Sequence, residues 1–147
     1  MKSLATNEIW NNLQHHSSFT GCFPADKIPH VKSFPTTIIV NTEKSDKKGE
    51  HWVAFYMEKD HCLYFDSFGL GVIEDDISLY LSNYYKSVIY SKNPVQDVSS
   101  VACGYFCIAF VQHVTCVNSY HDFLLQFNFD KLKNNDVICY DLLGIKL

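Results

Sequence analysis

Nowhere in this chain of 147 residues does an unbroken apolar run reach the roughly 20 residues that a membrane span needs. The opening stretch "MKSLATNEIWNNLQHH" also lacks the continuous apolar core of a secretion signal. These two absences lead us to expect an intracellular protein, in host nucleus or cytoplasm, with no membrane partner. Excess positive charge is missing too: Lys plus Arg number 12 against 16 Asp plus Glu, a formal net charge of -4. A sequence-independent nucleic-acid binder is usually basic, so the balance points away from that class. The one small basic cluster, "KSDKK" at 44–48, reads as a solvated loop. Internal repeats and low-complexity segments are likewise missing.

What the chain has is apolar material: 47% hydrophobic and 15% aromatic residues against 19% charged. That excludes disorder and supplies the core of one domain spanning 1–147. Six cysteines, at 22, 62, 103, 107, 116 and 139, follow no framework spacing. A chain this long and this apolar does not need disulfide staples, so most are expected as free thiols, the buried ones acting as small apolar groups.

Leu4, Ile9 and Leu13 mark an N-terminal helix over 4–15. Three prolines and a glycine make 19–35 read as an irregular loop. The β-branched "TTIIVN" (36–41) is a buried strand. "HWVAFYM" (51–57) and "HCLYFDSF" (61–68) are two more, joined through "EKD" as a hairpin. "IEDDISLYLSNYYKS" (73–87) has helical spacing with acids in its first turn. "VIY" (88–90) is a short strand, and "CGYFCIAFVQHVTCV" (103–117) is apolar on nearly every side, as a central buried helix would be. The remaining residues suit one or two amphipathic helices. Helix, strands, helix, strand, helices is an α+β order.

Cys103 stands where a loop runs into that central helix. A cysteine there sits at the positive end of the helix dipole, which favours the nucleophilic thiolate, and it would face solvent. On position alone a small buried residue is an equally good reading. Gly104 removes a side chain beside it and leaves room for a substrate backbone. Cys107, one turn further in among Phe106, Ile108 and Phe110, reads as core. A metal site is rejected, since Cys103, Cys107, His113 and Cys116 on one straight helix cannot converge on one ion. A cysteine nucleophile needs a base, and the base an orienting group. Among seven histidines only His51 opens a strand whose neighbour brings a carboxylate, Asp66, to the same end. With Glu58–Asp60 as the turn, Met57 would face His61 and position 52 would face 66. Gln96, seven residues before Cys103, could donate to an oxyanion beside the Cys103 N–H, although a solvated loop glutamine is the simpler reading.

Taken together, "IIVNT…GEHWVAFYMEKDHCLYFDSFGLG…VQDVSSVACGYFCIAFV" strongly resembles the adenovirus-type cysteine endopeptidases, within the wider superfamily of Ulp1-like proteases, over roughly residues 4–117. The resemblance implies a rearranged papain-like α+β fold with a central mixed sheet flanked by helices. It implies His51 as general base, Asp66 as its orienter, Cys103 as nucleophile and Gln96 as oxyanion donor, with Trp52 walling a narrow substrate channel. It further implies cleavage after small residues, glycine above all, in capsid or core precursor proteins, by a monomer that can be packaged in virions and uses no metal or small-molecule cofactor. The adenoviral enzymes are longer, basic, and activated by DNA and a disulfide-linked peptide. This chain is acidic and has no counterpart of the peptide-binding cysteine in 78–96, which counts against those two activators. In that it is more similar to relatives from self-synthesising transposons and related DNA viruses. Two other functions share these residues: deconjugation of ubiquitin-like modifiers, and a binding module that keeps the fold without catalysis.

Overall fold

We describe the chain from a computed structural model over residues 2–43 and 51–146; the basic cluster at 44–48 lies outside that range. The β-branched run 36–41 forms β2 (Thr36–Asn41), buried at every position. On one side of it lies β3 (Trp52–Met57), also fully buried, then β4 (His61–Phe65) and β5 (Ser87–Tyr90). On its other side lies β1 (Phe19–Pro24). The β1–β2 and β4–β5 pairs are parallel and the two central pairs antiparallel, so the sheet is mixed, as expected.

The strand β1 falls inside 19–35, where proline content argues for a loop. An edge strand makes ladder bonds on one side only, so it can end on Pro24 without losing a donor. Gly21, at φ 155°, takes up the irregularity where the register shifts between Phe19 and Gly21. Prolines therefore excluded a central strand here, not a strand.

The helices are α1 (Thr6–Leu13), α2 (Asp75–Tyr84), α3 (Cys103–His113), α4 (Val117–Leu124) and α5 (Asn135–Leu142). Glu74 caps α2 by accepting the Ile77 N–H at 2.7 Å. Strand side chains alternate between two cores, because successive residues point to opposite faces. Ile39, Trp52, Ala54, Leu63 and Phe65 meet α3 on one face. Ile38, Val53, Phe55, Met57 and Tyr64 meet Ile77, Tyr80 and Leu81 of α2 on the other. A sheet covered on both faces needs the near-continuous apolar strands seen here.

Helix α3 buries eight of its eleven residues, which is why no amphipathic pattern shows in it. It stops at His113, short of the expected 117, because Val114 turns extended and Cys116 caps α4, its sulfur accepting the Ser119 N–H. Phe110 stacks on Phe65 of β4 with centroids 5.2 Å apart, and Tyr120 and Phe123 of α4 meet Phe110 edge-on. No helix among the described residues is long and apolar enough to cross a membrane. Truncating Phe110 to alanine should open a cavity at the meeting point of sheet, α3 and α4. The expected loss is about 3–5 kcal/mol, measured as a lower urea midpoint at unchanged m-value.

Candidate active site

Glu58 donates its N–H to the His61 carbonyl at 2.9 Å, so the β3–β4 hairpin closes over two residues, Lys59 and Asp60. The register is Met57 opposite Cys62 and Ala54 opposite Phe65, one residue away from the expected pairing of 57 with 61. The difference has a chemical consequence. Had 52 faced 66, His51 would point to the face opposite Asp66. With the observed register, continuing it by one pair sets 53 opposite 66, and His51, two residues back, shares that face. His51 Nε2 lies 2.8 Å from Asp66 Oδ1, with the two side chains 14% and 5% exposed. The same Oδ1 accepts the Phe68 N–H at 2.9 Å, which fixes the carboxylate. The Phe68 ring stacks on the imidazole, centroids 4.7 Å apart, and covers that flank of the pair.

Cys103 is the first residue of α3, so its N–H has no acceptor within the helix and points outward. The residue is nonetheless only 6% exposed, against the expectation that it faces solvent. It shares a buried cluster with Leu4 and Trp52, and Trp52 donates its indole N–H to the Leu4 carbonyl at 3.0 Å. Leu4 Cβ sits 3.0 Å from where a β-carbon on Gly104 would be. The room that Gly104 leaves is thus taken by Leu4, and a substrate backbone reaching it has to displace that side chain.

With Nε2 facing Asp66, the other ring nitrogen, Nδ1, is buried without a hydrogen-bond partner. Burial of the ring is the largest single influence on its basicity and acts downward. Asp66 and then Cys103, through hydrogen bonding and charge, together outweigh it and raise the imidazole from 6.5 to about 9. Cys103 therefore acts on the ring without a well-formed hydrogen bond to Nδ1. Cys107, fully buried, has its thiol pushed well above its ordinary value by burial, as a core residue would. All six cysteines carry free thiols.

The adenovirus endoprotease family matches residues 19–137, well over half of the chain. The chain belongs to the adenovirus endoprotease family. No curated protein sequence matches it. Among solved structures, that of the ASFV pS273R protease in selenomethionyl form is similar at 18% identity and a TM-score of 0.39, over 76% of this chain and 44% of that one. The chain thus spans less than half the length of that relative.

In this endoprotease family member Gln96 is not a solvated loop residue: it is 1% exposed. Ser67, directly after Asp66, donates its hydroxyl to Gln96 Oε1 at 2.5 Å and accepts the Val95 and Gln96 N–H groups on its carbonyl at 2.9 Å each. Gly69, at φ +69°, lets the turn after Asp66 press on the same loop; a β-carbon there would lie 2.5 Å from Pro94 N. Gln96 Nε2 faces Ser100, 3.0 Å from its carbonyl and 3.2 Å from its hydroxyl. Both acceptors within reach are on Ser100, so an oxyanion would exchange for one of them. Beside His51 and Asp66 opens an apolar cavity of about 400 Å³, bounded by Thr42, Tyr64, Phe68, Leu70, Ile73 and Glu74. Among the described residues no three His, Cys, Asp or Glu side chains cluster as metal ligands.

The sequence alone did not single out Ser67, Phe68, Ser100 or Leu4. "DSFG" gave a turn signal for the first two; nothing local marks the others. His51 held protonated to about 9, above its ordinary 6.5, stabilises the fold fully below 6.5, and that contribution is lost as pH rises through 9. An NMR titration of the His51 ring should give a midpoint near 9, and Asp66→Asn should lower it; a midpoint at 6.5 in the intact protein would contradict the charge pairing.

Proposed function

We propose that this chain is a cysteine endopeptidase that cleaves polypeptides after small residues, with Cys103 as nucleophile, His51 as base and acid, Asp66 as orienter and Gln96 as oxyanion donor. One observation carries the reading: a buried imidazole bonded to Asp66 through Nε2, with its free Nδ1 under the influence of a cysteine at a helix N-terminus. With His51 already holding its proton as an imidazolium paired to Asp66, Cys103 reacts as the thiolate. The thiolate attacks the scissile carbonyl carbon. The resulting oxyanion is held by the Cys103 N–H and by Gln96 Nε2. His51 returns its proton to the departing amine as the C–N bond breaks. It then takes a proton from water, whose hydroxyl displaces sulfur from the thioester.

The preference for glycine follows from crowding. Cys103 and Trp52 are 6% and 7% exposed and Leu4 closes over Gly104, so a small residue before the scissile bond needs the least displacement. The proposed substrates are viral or virus-like capsid or core precursors, cut by a monomer inside the infected cell. The same narrow approach would also admit the glycine-ended tail of a ubiquitin-like modifier. A panel of modifier-based thiol probes separates the two, because a maturation protease leaves them unreacted.

Cys103→Ala should abolish cleavage of a glycine-containing peptide, and persistent turnover would rule the mechanism out. Gln96→Ala should lower kcat by about 10²–10³-fold with little change in KM. At pH 6, dilute iodoacetamide should alkylate Cys103 well before Cys107; equal rates would favour a binding module over an enzyme.

A further inference from the structure

Behind Gln96 lies a polar cluster that the proposed mechanism does not use, and it reaches into the C-terminal helix. Ser100 Oγ donates to Asp136 of α5, 3.0 Å from Oδ1 and 2.8 Å from Oδ2. The same oxygen accepts from Gln96 Nε2 at 3.2 Å and from the Ala102 N–H at 3.1 Å. A serine hydroxyl has one hydrogen and two lone pairs, so every hydrogen-bonding position of Ser100 Oγ is taken. The division of roles is forced. A carboxylate only accepts, so Asp136 takes the hydroxyl hydrogen and leaves both lone pairs for the amide and the backbone N–H.

These two donors belong to the two halves of the oxyanion site. Gln96 supplies the side-chain amide, and Ala102 is the residue joined to the Cys103 N–H. Ser100 bridges them, and its carbonyl also takes Nε2 at 3.0 Å. Next to Asp136, Asn135 is fully buried and holds the same loop: its Nδ2 donates to the Val95 carbonyl at 2.8 Å and to the Asn128 carbonyl at 2.7 Å. The Asn128 N–H returns a bond to Asn135 Oδ1 at 2.8 Å. Two consecutive residues opening α5 thus grip two points of the loop, at 95 and at 100.

We infer that Asp136 is a positioning residue for the oxyanion site, acting through Ser100 to hold the Gln96 amide and the Cys103 backbone N–H at a fixed spacing. Asn135 anchors the other end of the loop. This rests on the peptidase reading above. It makes the C-terminal helix part of the catalytic apparatus although none of its side chains touches substrate.

The test compares Ser100→Ala, Asp136→Ala, their double variant and Asp136→Asn. Each alanine variant should lower kcat about tenfold with KM within twofold. The double variant should be no worse than Ser100→Ala alone, since Asp136 acts through that hydroxyl. Asp136→Asn keeps an acceptor for the hydroxyl and should recover most of the rate. Alkylation of Cys103 at pH 6 should be unchanged, because the His51–Asp66 pair is untouched. Unchanged kcat in Asp136→Ala, additive losses in the double variant, or alkylation falling in step with kcat would each overturn the inference. Hydrogen exchange of the Gln96 side-chain amide gives a readout without turnover: slow in the parent chain, faster in Asp136→Ala. If the parent cleaves no peptide, the peptidase reading fails, and an amide exchange rate that does not respond to Asp136→Ala disposes of the positioning role separately.

Discussion

The hairpin between β3 and β4 sets the parity on which the site depends. Its two-residue turn places 54 opposite 65, and from that one registration two consequences follow along the strands. Odd positions of β3 and even positions of β4 share a face, so His51 and Asp66 meet at the open end. The alternate positions, Trp52, Ala54, Leu63 and Phe65, turn to the face that α3 covers. The strand pair therefore delivers His51 from one side-chain set and the bed of α3 from the other. A slip by one residue would exchange the two sets, and burial of both faces is what forbids it.

Around the imidazole the site is built to keep a charged pair in a poorly hydrated place. Burial alone would make the ring less basic. Asp66 on Nε2, together with Cys103, reverses that and carries the ring to about 9. Phe68, stacked on the ring, limits water on one flank, while Leu4 and Trp52 close the approach to Cys103. Under the proposed mechanism a buried thiol can still react, with the helix N-terminus behind it and the imidazole within reach.

The loop carrying Gln96 has little regular structure of its own, yet it is pinned along its length. Ser67 takes its backbone at 95 and 96, Asn135 takes the carbonyl of 95, and Ser100 joins the amide of Gln96 to the backbone before Cys103. Each pin satisfies a polar group that burial would otherwise leave costly, so fixing the loop and burying it are the same event. Gly69 matters for the same reason: a side chain there would push Pro94, and with it the loop, away from the Asp66 turn.

Several features were open to reading without coordinates because local pattern encodes them. β-branched and aromatic runs marked β2, β3 and β4, the acid-rich start marked α2, and the all-round apolar stretch marked α3. The hairpin likewise placed His51 near Asp66, while Cys103 and Gln96 were set apart from a buried cysteine and a loop glutamine only by the family resemblance. Other features depended on partners distant in sequence. The edge strand β1 exists because β2 lies beside it, despite its proline. Leu4, far back along the chain, packs against Gly104 beside Cys103. The partners of Gln96 are Ser67 on one side and, on the other, Ser100, itself bonded to Asp136 of α5. Sequence thus marked the candidate residues and most of the strands and helices, since those follow from residue type, short-range periodicity and the family resemblance. Only the tertiary structure decided the hairpin register, the cover over the thiol and the support of the oxyanion loop. Those rest on hydrogen bonds and contacts between residues whose spacing in the chain carries no signal.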